Sequence, residues 1–355
     1  MQVHGAVTAL PGPVGVRVLD TVSPLPAGGG GDGGGGAPRQ PSSDARTLYW
    51  MDERLGPQGP TGRRDKVLIV SDRHHPEADR VTLKLHQRGA LVCRLYPEEL
   101  HEVGRLEVHL GDETPSRLVV PLWDLPLDEI RSAWLCDPLE THSPAWDAAL
   151  QSMLGALDQV WWVSRPAAME RAANSLWVLK AAVLAGLPAP RTLLTNDPAT
   201  AQAFFDDCSG AVRVRPLRRG EDGGRVEAEH LAQLERLRQA PCLLQEAREE
   251  GVKVRVAIVG REVFAAERHG VPHEPHVRHT VPNDVSNACL RLLDRCGLSA
   301  ATIDLQAGPV GAYRFLSLDP YGSWLALQEQ AELPIADAMA DLLIDGRSLG
   351  GIGPP

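Results

Sequence analysis

The run Lys66-Val67-Leu68-Ile69-Val70-Ser71 sets the first limit on what this chain can fold into. A short, nearly unbroken apolar run reads as a strand buried on both faces, the pattern of a parallel sheet. Behind it, Ala78, Val81, Leu83 and Leu85 suggest a helix over 72–88 that Gly89 stops. Ala90-Leu91-Val92-Cys93-Arg94-Leu95 then reads as a second strand. Strand, helix and strand within ~30 residues make a βαβ unit, which requires a parallel pair and a right-handed crossover. Leu118–Leu122, Ile130–Leu135 and Val160–Val163 supply further strands, and Pro144–Leu157 a helix. Residues 65–165 are therefore read as a small doubly wound α/β domain.

The pattern changes after this point. From Ala167 to Leu184 the spacing of Ala172, Leu176, Leu179 and Val183 is helical, with Gly186 placed to end it. Asn196 or Asp197 can cap a helix over Ala199–Asp206. Strand-like runs at Ala211–Pro216 and Cys242–Gln245 are separated by the turn Arg219–Gly224 and a helix. Val252–Val259 and Glu262–Ala266 form an expected hairpin about Gly260-Arg261. A helix at Asn283–Cys296 precedes strands Ala301–Leu305 and Tyr313–Leu318. No internal repeat is present.

Composition closes off several classes of function. Residues 1–64 hold 14 Gly and 8 Pro, including the run Gly28–Gly36. Ordering glycine costs the most backbone entropy, so this segment and 346–355 are expected to be flexible tails. The net charge is −10 with no basic block, which argues against a nucleic-acid binder. No apolar run approaches the ~18 residues of a membrane span, and a cationic end followed by an apolar core is missing at the start, so no secretory signal is expected. The six cysteines lie far apart without a CxxC, as expected of reduced thiols in a cytoplasmic protein. Only 4 of the 36 basic residues are Lys, so Arg in place of Lys carries little meaning here.

The order of phrases resembles the ATP-grasp peptide maturases of the microviridin, or graspetide, type. The phrases are Val67–Ser71, the Trp134 segment, Val160-Trp161-Trp162-Val163-Ser164-Arg165-Pro166 and Arg171-Ala172-Ala173-Asn174. Gly186–Pro198, Gln245-Glu246, Arg255 with Gly260, Asp304 and Phe315–Trp324 follow in order. The resemblance covers roughly 65–345. It implies an α/β architecture, a pre-ATP-grasp domain over 65–165 followed by an ATP-grasp fold over 166–345. The resemblance also implies ATP-dependent activation of a carboxylate as an acyl-phosphate, closing ester or amide links in a ribosomal precursor peptide recognised through its leader segment. ATP and Mg²⁺ are the implied cofactors, and a homodimer fits the family.

By the same resemblance, Asp304 and Asp319 would hold Mg²⁺, Arg215 and Arg255 the phosphates, and Gln245-Glu246 the adenine hinge. Arg278 would position phosphate or acceptor. The chain departs from the pattern at several charged positions. Ser175 stands where a helix Lys is expected, and Lys180 lies ~140° further round the helix. Arg215 replaces the lid Lys, and Arg can still hold phosphate bidentately. Lys253 replaces an acidic residue, and Ser317-x-Asp319 replaces Glu-x-Asn, so the bridging carboxylate is lost. Cys136-Asp137 stands in place of an Arg pair, and His276-Val277-Arg278 in place of Asp-Trp-Arg. These losses fall on the phosphate and metal side, and they keep a second reading open. In it the chain is a non-catalytic ATP-grasp protein that binds a precursor peptide or a sister ligase. A small-molecule ligase on the same scaffold is a third reading.

His269, His273, His276 and His279 have a metal-like spacing, but Pro272 and Pro275 break any helix, so a solvated loop is expected. Gly220–Gly224 suits a phosphate-covering lid, yet Glu221 and Asp222 would repel phosphate, which favours a plain turn. Trp161 and Trp162 are expected to face opposite layers, and Cys289 and Cys296 to share a buried helix face.

Overall fold

The computed structural model describes residues 60–345, apart from 112, 121, 122, 142, 216, 218–223, 248–250, 269–274, 309 and 310. The expected tail over 1–64 except for 60–64, the tail over 346–355, most of the glycine-rich turn, and His269 with His273 lie outside the described residues. Both α-helices and β-sheets are present, in an α/β arrangement.

The first strands are β1 (Lys66–Val70), β2 (Leu91–Leu95), β6 (Ile130–Leu135) and β7 (Trp161–Trp162). They form one parallel sheet in the order β2-β1-β6-β7. All five residues of β1 are buried, and alternation sends them to two layers. Val67 and Ile69 join the core that holds Ala78, Val81 and Leu85 of helix α1 (Pro76–Gln87). Leu68 and Val70 join the core that holds Leu150, Met153 and Leu154 of α2 (Pro144–Gly155). The expected doubly wound unit is thus present. Trp162 faces the second core while Trp161 packs against the first, as alternation requires.

Lys66 is 1% exposed and pairs with Glu129 at 2.7 Å. Glu129 also accepts from the amides of Thr61 (2.9 Å) and Gly62 (2.6 Å). The chain is therefore anchored from Thr61, ahead of the expected start at 65. The strand expected over 118–122 is instead one arm of a hairpin. Strands β3 (Arg105–Glu107), β4 (Arg117–Val120) and β5 (Trp123–Pro126) make a small antiparallel sheet of their own.

The sequence spacing predicts one long helix over 167–184, and two occur: α3 (Pro166–Ala172) and α4 (Ser175–Leu184). Asn174 interrupts them because its side chain caps α4, accepting from the Trp177 amide at 2.9 Å. The restart resets the buried face. Val178, Leu179, Ala181 and Ala182 are buried, whereas Leu176 and Val183 are exposed.

Strands β8 (Thr192–Thr195), β9 (Val212–Arg215) and β10 (Cys242–Glu246) form an antiparallel sheet in the order β8-β10-β9. Helix α5 (Pro198–Asp207), capped by Asp197, and the 3₁₀ segment Ala228–Arg238 cover one face of it through a small apolar core. The largest sheet runs β13-β12-β11-β14-β15 and is antiparallel throughout. Its strands are β11 (Val252–Val259), β12 (Glu262–Arg268), β13 (Val277–Arg278), β14 (Ala300–Ala307) and β15 (Tyr313–Asp319).

Helix α6 (Asn283–Cys296) packs Val285, Cys289, Leu292 and Cys296 against Val254, Val256, Ile303 and Phe315 on one face of this sheet. Two helices missed in the sequence, α7 (Leu325–Ala331) and α8 (Ile335–Asp345), cover part of the other face. Helix α8 also packs on α1, where Arg88 pairs with Asp337 (3.1 Å) and Asp341 (2.8 Å). All six cysteines are free thiols, and burial raises those of Cys289 and Cys296 to about 12 and about 11. Among the described residues, no helix is long and apolar enough to cross a membrane.

Candidate functional site

The register of the five-stranded sheet sets five residues in one row. Arg278 of β13 lies opposite Ala266, Ala266 opposite Arg255, Arg255 opposite Asp304, and Asp304 opposite Ser317. Residues directly opposite in antiparallel strands point to the same face, so this row forms a polar seam. Arg255 grips Asp304 with two parallel bonds, Nε to Oδ1 at 2.8 Å and Nη2 to Oδ2 at 3.0 Å. Ser317 Oγ donates to Asp304 Oδ2 at 3.1 Å. The Asp304 hydrogen bonds outweigh burial and, with nearby Asp319, raise the Arg255 guanidinium above its ordinary value.

A bulge interrupts β15 beside this seam. Asp304 faces Ser317, but the next residue, Leu305, faces Phe315, so Leu316 is left out of the register. The bulge puts Phe315 into the α6 core and turns Arg314 to the polar face, opposite Gln306. The unpaired Leu316 carbonyl accepts from Arg215 Nη2 at 3.2 Å. Arg215 and Arg213 alternate along β9 with Val212 and Val214, whose side chains fill the α5 core. The two arginines therefore occupy the sheet face away from α5. Burial lowers the Arg215 guanidinium, Arg213 adds to that effect, and Asp304 opposes it. Arg215 is a half-buried cation whose surroundings favour an anion.

Gln245 and Glu246 end β10 and are both buried. Gln245 Nε2 donates to Thr192 Oγ1 at 3.3 Å, and Arg314 Nη1 lies 3.6 Å from Glu246 Oε2. The backbone just beyond, at 248–250, lies outside the described residues. Lys253 stands beside Arg255, two residues along β11 and on the same face, opposite Gln306. The structure thus brings Arg215, Arg255, Asp304 and Ser317 together, with Arg314 as a cation that the sequence reading missed. Only the bulge could have signalled Arg314.

Other expected residues are placed elsewhere. Arg278 shares the row, but its guanidinium donates to the Glu332 carbonyl at 2.9 Å, at the C-terminal end of α7. Such a contact satisfies carbonyls left open by the last turn of a helix. Ser175 begins α4 behind its Asn174 cap, and Lys180 is exposed on that helix. His276 and His279 flank β13 rather than lying in a free loop. His279 bridges Glu267 (2.7 Å) and the Tyr313 hydroxyl (2.6 Å).

The residues expected to hold Mg²⁺ do not fit it as they stand. Mg²⁺ requires close octahedral oxygen ligands. Both oxygens of Asp304 are taken by Arg255, and Asp319 Oδ1 accepts from the Tyr321 amide at 3.1 Å. The group opposite Asp304 is the neutral Ser317 hydroxyl. No group of three or more His, Cys, Asp or Glu suited to a metal occurs among the described residues.

A second polar cluster lies at the carboxyl ends of β1 and β6. His75 Nε2 is 3.3 Å from Asp137 Oδ2, and His75 Nδ1 accepts from the Ala78 amide at 3.2 Å. Burial lowers the imidazole, but Asp137 together with Glu77 more than offsets this, so it is raised overall. With both ring nitrogens engaged, His75 is a structural cap. A cavity of about 470 Å³, lined by Phe205, Val214, Val226, Leu234 and Leu237, opens on the α5 side of the β8-β10-β9 sheet. It contains none of the expected site residues.

Solved structures share this architecture. Macrocyclase MdnC from Microcystis aeruginosa MRC, bound with precursor peptide MdnA, is 21% identical, with a TM-score of 0.72 over 79% of this chain and 99% of that one. Macrocyclase MdnB from the same organism is 25% identical, with a TM-score of 0.69 over 79% and 99%. The ATP-grasp ligase PsnB, complexed with minimal precursor, Mg and ADP, is 22% identical, with a TM-score of 0.66 over 79% and 97%. These likenesses show that the chain has the ATP-grasp fold. No family model matches the chain, and no curated protein does.

Proposed function

We propose that this chain is an ATP-grasp peptide maturase that clasps a nucleotide between the β8-β10-β9 lid sheet and the five-stranded sheet, and acts there on a ribosomal precursor peptide. The observation that carries the reading is the meeting of Arg215 from the lid with the Arg255–Asp304–Ser317 row beneath it. Carboxylate activation moves the γ-phosphoryl of ATP to a side-chain carboxylate, and a hydroxyl or amine then displaces phosphate. Negative charge collects on the phosphoryl oxygens, so fixed cations aimed at them lower the barrier. Arg215, Arg255 and Arg314 are those cations here, with Lys253 beside them. Gln245 and Glu246 form part of the adenine wall, where backbone groups and apolar walls set the recognition.

The precursor's leader segment is the partner this reading expects, and a homodimer or a sister ligase are the protein partners that fit it. Incubating the full chain with ATP and a precursor encoded beside its gene tests it by intact mass. The expected result is loss of one water per link, dependent on ATP.

A second reading has its own observation. Arg255 occupies both oxygens of Asp304, and Ser317 supplies no second carboxylate. On this reading the chain binds precursor without turning it over. Capture of the precursor with unchanged mass, at all ATP concentrations, selects it over the first.

A further inference from the structure

Asp304 is the acidic residue at the centre of the polar seam, and its charge already has a partner. The bond pair from Arg255 is bidentate, with the two residues directly opposite across β11 and β14. Backbone pairing therefore sets the two side chains next to each other, within reach of this bidentate contact. The pair is partly withdrawn from water, Arg255 being 25% and Asp304 34% exposed at the side chain. A divalent ion at Asp304 would have to evict this guanidinium or sit against it. Ser317 holds the remaining side of Oδ2 at 3.1 Å and offers the ion no charge in return.

The cations around the pair are well placed for phosphate. Arg255 Nη1 lies at the edge of the seam, 3.5 Å from the Ser323 carbonyl. Arg215 descends from the lid to Leu316, and Arg314 rises from β15 on the same face. Guanidinium groups bind phosphate oxygens bidentately and stay charged at every physiological pH.

We infer that Arg255 is the resident counter-cation of this site, so that the cleft takes a nucleoside di- or triphosphate as the free anion, without a divalent metal. The inference rests on the nucleotide-binding reading above and deepens it by naming the form of the ligand.

Calorimetry of the full chain with ADP tests it, in EDTA and in excess Mg²⁺ at fixed ionic strength, with inorganic tripolyphosphate as a competing probe. The wild-type dissociation constants are expected to agree within about threefold between the two buffers. Tripolyphosphate should compete with ADP in EDTA. Arg255→Gln should weaken ADP in EDTA by about tenfold and make Mg²⁺ strengthen binding, because Asp304 is then released. Mg²⁺ tightening wild-type ADP binding by about tenfold or more overturns the inference and leaves the nucleotide reading standing. If neither ADP nor tripolyphosphate binds in either buffer, the nucleotide reading fails and the inference falls with it. The wild-type arms decide the matter even if the variant does not fold.

Discussion

Arg215 Nη2 donates to the Leu316 carbonyl at 3.2 Å, which joins the lid sheet to the five-stranded sheet at the residue skipped by the β14–β15 register. The bond fixes a half-buried guanidinium directly over the polar seam. Water can serve the Leu316 carbonyl if the side chain is removed, so the contact contributes little to folding. Arg215→Met is expected to weaken ADP binding by about tenfold, the worth of one charge-assisted hydrogen bond. Its melting temperature should stay close to wild type. Calorimetry and a thermal melt on the same sample separate the two effects.

Ser317→Glu places a carboxylate directly opposite Asp304. Like charges across a strand pair repel, so in metal-free buffer the variant should lose about 1 kcal/mol of stability. It also creates the paired carboxylates that a divalent ion needs. With Mg²⁺ at a hundredfold excess over its dissociation constant, about 2.7 kcal/mol should return. Wild-type stability should not respond to Mg²⁺. Thermal melts across a Mg²⁺ series read both effects.

Glu129 gives the protein an acid limb. Burial opposes its ionisation, but Lys66 and the amides of Thr61 and Gly62 outweigh this and bring its carboxyl down to about 2. A carboxylate depressed in the folded state takes up its proton more readily when unfolded. Its stabilisation is therefore complete above the ordinary carboxylate range near 4.5 and is lost as pH falls from there towards about 2. Glu129→Ala should cost about 3–5 kcal/mol at neutral pH, the cost of removing one side of a buried ion pair, and should flatten that limb. Denaturant melts between pH 7 and the acid transition measure it.

Gly251 admits no side chain. Its φ is +111°, and an added Cβ would come within 2.2 Å of the Ala307 carbonyl oxygen. The neighbour is backbone of β14 and has no rotamer by which to move aside. Gly251→Ala should cost about 3 kcal/mol through strain and clash together. Gly89→Ala is a suitable control, because it shares the positive φ but meets no atom within 4 Å. The control should lose clearly less in the same denaturant melt.

Much of the site was legible as residue types in order, and little of it as geometry. Arg215, Arg255, Asp304 and Ser317 could be picked out because each sits in a recognisable phrase. That Arg255 lies across from Asp304 depends on the β11–β14 register, which pairs residues 49 positions apart. No periodicity reports such a pairing. Arg314 is hidden because alternation from Ser317 assigns it to the buried face, and the bulge reverses that assignment. The split between α3 and α4 escapes the helical spacing because Asn174 falls inside that spacing, and its role as the cap of a new helix shows only in the bond to the Trp177 amide. Strands β1, β2 and β6 fall where their apolar runs place them, because the one register shift between β1 and β6 lies at the first residue of each strand.

Helix α8 is the last described element and packs against α1, one of the first, with Ser132 of β6 also donating to its Leu343 carbonyl at 2.7 Å. Val67, Ile69, Val81 and Trp134 share their core with Ile335, Met339 and Leu343. On the ribosome these two groups emerge on the order of tens of seconds apart at ordinary elongation speeds. Throughout that interval the N-terminal sheet lacks part of the cover for one face. The nascent chain therefore carries an exposed apolar surface until α8 arrives, and its need for a chaperone lasts until then.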